Sequence, residues 1–154
     1  MEQVSPGGEV APSPAPGDSL VIPGRLLARV REELARAYPR EACGVLLGRL
    51  EGEERRVTRL EASANRWPGR NDRYRLDPET LRRLLEEEEA GGPKVLGFYH
   101  SHPDARPVPS ATDRKLAWPW YHYLIVEVSR GRARDGRVWK LKEGTFVERP
   151  VRIG

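Results

Sequence analysis

Residues Cys43–Gly48 read CGVLLG, an uncharged run enclosed by charged stretches on both sides. A short apolar run bounded by glycines is the pattern of a buried strand, and such a strand needs a sheet whose faces are covered. Arg55–Glu61 matches its antiparallel partner across the turn Glu51-Gly52-Glu53. Covering helices are legible on either side. From Pro23 to Tyr38, Leu26, Leu27, Val30 and Leu34 recur at helical spacing. Asp77-Pro78 opens a second helix, with Asp as N-cap and Pro at the first helical position, running to about Ala90 before Gly91-Gly92-Pro93. Tyr74–Leu76 reads as a short extended piece after a loop at Asn65–Asp72. Val95–Tyr99 is a strand, and Ser110 caps a short third helix to about Ala117. Tyr121–Val128, Arg137–Leu141 and Thr145–Glu148 read as further strands. The predicted class is α/β (α+β), a mostly antiparallel mixed sheet flanked by helices.

Residues 1–19, rich in Pro, Gly, Ala and Ser, bury too little apolar surface to offset ordering and read as a disordered tail. The domain is expected over 20–154. One cysteine, Cys43, excludes an intrachain disulfide, and no apolar run approaches the ~18 residues of a membrane span. No secretory leader pattern is present, so a cytoplasmic location without membrane contact is expected. The net charge of +4 permits an acidic partner, but the arginines alternate with glutamates as on solvated helix faces.

The chemistry concentrates in GFYHSHPDARPVPSATD, residues 97–113. Residues i and i+2 of an extended chain share a side, so His100 and His102 offer two imidazoles to one point. Asp113, in the first turn of the next helix, adds a carboxylate. Three N or O ligands with an open fourth position make a catalytic zinc site. Such a site still needs a carboxylate base that is not itself a ligand. Glu41, just before the strand at 43–48, is the candidate. Ser110 would stabilise an oxyanion. Singly, each residue has a plainer reading: Ser110 and Asp113 as a capping box, the histidines as polar side chains, Glu41 as one glutamate among many. Jointly they satisfy one metal centre. Cys43 and His122 read as buried structural residues.

His100-Ser-His102, seven residues, Ser110, two residues and Asp113, with upstream Glu41, resemble the JAMM (MPN-plus) motif of zinc isopeptidases. Pro39–Gly48, Tyr74–Pro78 and Gly97–Pro103 are similar to segments of its short prokaryotic members. The resemblance implies an MPN (cytidine-deaminase-like) fold and one Zn2+ per chain on His100, His102 and Asp113. It also implies Glu41 as acid/base and Ser110 as oxyanion donor. The implied substrate is a peptide or isopeptide bond after the C-terminal Gly-Gly of a small β-grasp ubiquitin-like protein or sulfur carrier. The compact chain has no room for the insertions that grip ubiquitin in eukaryotic members. Trp67, Trp118 and Trp120 are candidate channel walls, and exposed tryptophans would suit a homodimer. A RadC-like DNA-repair role is the first alternative, disfavoured because residues 1–19 are no helix-hairpin-helix region; nucleic acid is therefore not the expected partner. A non-catalytic MPN scaffold is the second, disfavoured because all five positions are filled. A zinc deaminase fits worst, lacking Pro-Cys-x-x-Cys.

Overall fold

The computed structural model describes residues 18–67 and 74–154. Its elements are β1 (Leu20–Ile22), α1 (Gly24–Ala37), β2 (Cys43–Glu51), β3 (Glu54–Ser63), α2 (Pro78–Glu89), β4 (Lys94–Pro103), α3 (Ala111–Leu116), β5 (His122–Ser129), β6 (Arg132–Lys142), β7 (Thr145–Arg149) and β8 (Val151–Ile153). The strands form one sheet in the order β7-β6-β5-β4-β2-β3-β1-β8. The mixed character expected from the sequence is borne out. Pairs β2–β3, β2–β4, β5–β6 and β6–β7 are antiparallel, whereas β4–β5, β1–β3 and β1–β8 are parallel.

Apolar residues cover both sheet faces. On one, Leu26, Val30 and Leu34 of α1 pack with Leu46, Leu96, Tyr99 and Val126. On the other, Leu84 of α2 packs with Val45, Leu47, Val95 and Phe98. A register shift between β2 and β4 pairs Leu46 with Gly97 and Leu47 with Val95, leaving Leu96 extra. That bulge reverses the alternation of β4, because one added residue sends every later side chain to the opposite face. Val95 and Phe98 therefore share a face although their numbers differ in parity.

Gly97 sits at this irregularity, where a Cβ would lie 2.0 Å from the His122 carbonyl oxygen. No side chain can yield there, since the obstacle is backbone of the neighbouring strand. Gly97→Ala is expected to cost roughly 3 kcal/mol by forcing β4 from β5. A denaturant midpoint equal to wild type would contradict this.

Several boundaries differ from the sequence expectation, β6 beginning at Arg132 rather than Arg137. Asp18 and Ser19, assigned to the tail, belong to the fold: Asp18 meets His122 at 3.1 Å, and Ser19 accepts a hydrogen bond from the Arg55 amide at 3.0 Å. The expected disorder of the remaining tail, and residues 68–73 of the expected loop, lie outside the described residues. Strands β1 and β8 were not anticipated, because three residues are too few to show periodicity. β4 continues through both histidines to Pro103, held by parallel pairing with β5 as far as Val128. Among the described residues, no helix is long and apolar enough to cross a membrane.

Candidate metal centre

His100 and His102 lie on β4 beyond the bulge, on the face of Phe98, and both are buried. His100 Nε2 is 3.3 Å from His102 Nε2. Asp113 reaches them from α3, with Oδ1 3.3 Å from His100 Nε2 and Oδ2 3.1 Å from His102 Nε2. Two ligands on a tetrahedral cation, at bonds of about 2.0–2.2 Å, stand about 3.3–3.5 Å apart. Asp113 turns one oxygen to each imidazole, and one ligand atom from each of the three residues lies within 4.8 Å of the other two, so these side chains could hold a metal ion.

The His102 tautomer, the neutrality of His100 and the charge of Asp113 suit a metal. His102 Nδ1 lies 2.8 Å from the Arg106 carbonyl, which can only accept, so Nδ1 carries the hydrogen and Nε2 turns its lone pair to the cluster. Burial pushes the His100 pKa down, against the pull of Asp113, and keeps that imidazole neutral. Burial also acts on His102, but its contact with Asp113 outweighs it and raises its pKa. Although burial opposes it, the two histidines hold the Asp113 carboxyl well below the usual range, so it is ionised.

Local chemistry sets these positions. Ser110 is the N-cap of α3, its Oγ accepting from the Asp113 amide at 3.0 Å. In return the Ser110 amide donates to Asp113 Oδ2 at 2.8 Å, so the capping box itself aims the carboxylate. Ser110 is exposed, and its Oγ uses only a lone pair in the cap, which leaves the hydroxyl hydrogen to donate outward. The intervening loop is fastened at several points. Trp139 Nε1 donates to the Pro107 carbonyl at 3.0 Å, and Asp104 Oδ2 accepts from the Tyr38 hydroxyl at 2.6 Å.

Glu41 enters from the segment that leads into β2. Cys43 pairs with His100, and the antiparallel register carried two residues further brings Glu41 level with His102. Opposed residues of such a pair share a face. Glu41 is 8% exposed, and its charge contributes to raising the His102 pKa.

Three supporting residues were not anticipated. Ser101, fully buried between the histidines, accepts the Ala42 amide on Oγ at 3.0 Å and donates its own amide to the Ala42 carbonyl at 3.1 Å. Asn65 donates from Nδ2 to the Glu41 carbonyl at 3.0 Å. Tyr74 stacks on His100, with ring centroids 4.2 Å apart. Serine beside histidine and asparagine in a loop are too common to mark a site, so only the pairing of β2 with β4 identifies them.

Beside the histidines, Tyr74, Leu81, Leu85, Phe98, Leu116 and Trp118 line an apolar cleft of about 510 Å3. Trp118 thus stands where a channel wall was expected. Trp120 does not: it covers Arg55 on the far side of the sheet, because its backbone turns back before β5. Trp67 is half-buried, its amide donating to Asn65 Oδ1 at 3.0 Å. Cys43 is inert, since burial lifts its thiol to about 12, with Glu41 adding to the rise. His122 is buried, as expected.

Residues 23–142 match the model of prokaryotic homologues of the JAB domain. A desampylase of Haloferax volcanii is 46% identical over 101 residues, 65% of this chain and 71% of that protein. A CysO-cysteine peptidase of Mycobacterium tuberculosis is 35% identical over 137 residues, covering 87% of this chain and 90% of its own length. A solved structure from Desulfitobacterium hafniense superimposes with a TM-score of 0.75 at 27% identity, over 88% of this chain and 92% of the other. The segments carrying Glu41, both histidines, Ser110 and Asp113 all fall inside the matched span, and the chain belongs to the prokaryotic JAB-domain family.

Proposed function

We propose that this chain is a zinc-dependent peptidase that hydrolyses the peptide or isopeptide bond after the C-terminal Gly-Gly of a small ubiquitin-like or sulfur-carrier protein. The observation that carries the reading is the convergence of His100, His102 and Asp113 within 3.1–3.3 Å contacts, with buried Glu41 two residues before Cys43, the strand partner of His100. Two imidazoles and one carboxylate are a ligand set that zinc accepts. When bound, zinc supplies Lewis acidity and lowers the pKa of coordinated water to near 7. Glu41 takes a proton from the attacking water and returns it to the departing amine, a single carboxylate serving as base and then acid. The Ser110 hydroxyl donates to the oxygen on which negative charge develops. His102 is held by the Arg106 carbonyl and Asp113 by the Ser110 amide, so the site is fixed before substrate arrives.

The relatives' names, a desampylase and a CysO-cysteine peptidase, support the substrate class. The buried position of the histidines adds a physical argument. Only a thin, extended chain reaches buried histidines at the end of an interior strand, and glycines present no side chain to obstruct it. The test is incubation with a β-grasp fusion ending its first module in Gly-Gly, against the same fusion with Val just before the scissile bond. Turnover of the first and none of the second is expected. Equal cleavage of both would refute the narrow approach, and cleavage of neither would refute the substrate class.

A further inference from the structure

A second cluster of charge lies toward the other end of β4. Along that strand Lys94 and His100 stand about 20 Å apart, at ~3.3 Å per residue. At the Lys94 end, Trp120, Arg55, Lys140, Lys142 and Arg149 line a cleft of about 550 Å3.

Arg55 is 3% exposed, its Nη1 donating to the Leu96 carbonyl at 3.2 Å and its guanidinium 3.8 Å from the Trp120 ring centre. Burial lowers its pKa to about 10, Asp18 opposing this and Arg149 adding to it, so it remains charged at neutral pH. One carboxylate serves the buried side. Asp18 Oδ1 meets His122 Nε2 at 3.1 Å, while Oδ2 is 3.7 Å from Lys140 Nζ. The same Oδ2 stands 3.1 Å from Arg149 Nε, close in charge but off hydrogen-bond alignment. His122 adds no charge, since burial, assisted by Arg55 and Lys140, lowers its pKa to about 4 despite Asp18. Among the described lining residues, four cations (Arg55, Lys140, Lys142, Arg149) face two acids (Asp18, Glu53), an excess of two positive charges. Burying charge without compensation is expensive, and an open concave site allows a counter-ion to supply it.

The backbone gives an independent sign. Trp120 adopts φ 83, a left-handed conformation in which a bulky residue is an outlier. Such strain persists only where the surroundings impose it, and it collects at ligand sites. Here Arg55 on the ring face and Tyr121 at its edge, 5.3 Å between centroids, hold the indole as a wall of the cleft.

We propose that this cleft binds a compact oxyanion of the phosphate class, held by Lys140, Lys142 and Arg149 against the Trp120–Arg55 wall. The charge matches: a phosphate monoester carries about −1.5 to −2 at neutral pH, against the excess of two. The site is separate from the metal centre and independent of the proposed peptidase activity.

The test titrates the full chain with inorganic phosphate and, separately, with a simple phosphate monoester, using chloride at matched ionic strength as control. The Trp120 indole N–H resonance and the Tm are followed. Saturable movement of that resonance with a rise in Tm is expected for at least one probe. Equal strength points to free phosphate, and a tighter monoester to a phosphorylated small molecule. Lys142→Glu, at an exposed position, should weaken binding roughly tenfold. His102→Ala should leave the titration unchanged, because it disturbs only the metal centre. No saturation with either probe, undiminished binding by Lys142→Glu, or loss of binding in His102→Ala would overturn the proposal.

Discussion

Glu41→Gln is expected to keep its metal and lose hydrolysis by roughly 10²- to 10⁴-fold in kcat, the contribution of a positioned general acid–base. Glutamine preserves shape and cannot take the proton. The anchors that set this position are backbone groups, Ala42 on Ser101 and the Glu41 carbonyl on Asn65, and the substitution leaves both in place. Removing the charge also withdraws one influence that raises the His102 pKa, so the imidazole stays available as a neutral ligand. Metal content measured beside turnover separates the outcomes. Wild-type turnover in this variant would refute the base assignment.

The second large effect is loss of the metal itself. His102→Ala removes one imidazole and with it the contacts to His100 and to Asp113. The variant should purify without metal and show no hydrolysis above background. Chelation of the wild type should remove activity equally and lower the Tm, since a ligand that binds only the folded state stabilises it by mass action. The fold should survive, because β4 is paired along its length with β2 and β5 and both faces of the sheet are packed without the metal. Activity that persists through exhaustive chelation would remove the metal from the reaction. A metal-free wild type that regains turnover on adding zinc, where His102→Ala does not, ties the loss to the site.

Much of the site is local chemistry and was legible for that reason. Two histidines at i and i+2 on a strand must share a side, and Ser110 with Asp113 must form a capping box if a helix starts there. Glu41 was harder to read. Its identity as a base depends on β2 lying beside β4, which no local pattern states. Cys43 and His122 were legible as buried residues from their apolar surroundings. Trp120 was not placed correctly, because its direction follows from one left-handed residue rather than from its neighbours. Asp18 was assigned to a tail by composition, yet its carboxylate answers the neutral imidazole of β5 and cations from β6 and β7, which come together only in the fold.

The sequence by itself determined the types of the longer elements, the spacing of the ligands and the capping box that aims Asp113, all interactions within a few residues. The tertiary structure alone decided which face of the sheet the histidines occupy. The extra residue at Leu96 reverses the alternation of β4, turning His100 and His102 to the side of Tyr74 and the apolar cleft. It likewise decided that Ser101 would fasten the Glu41 strand to the histidine strand. Both outcomes depend on strand register, which is fixed by packing between segments far apart in the chain.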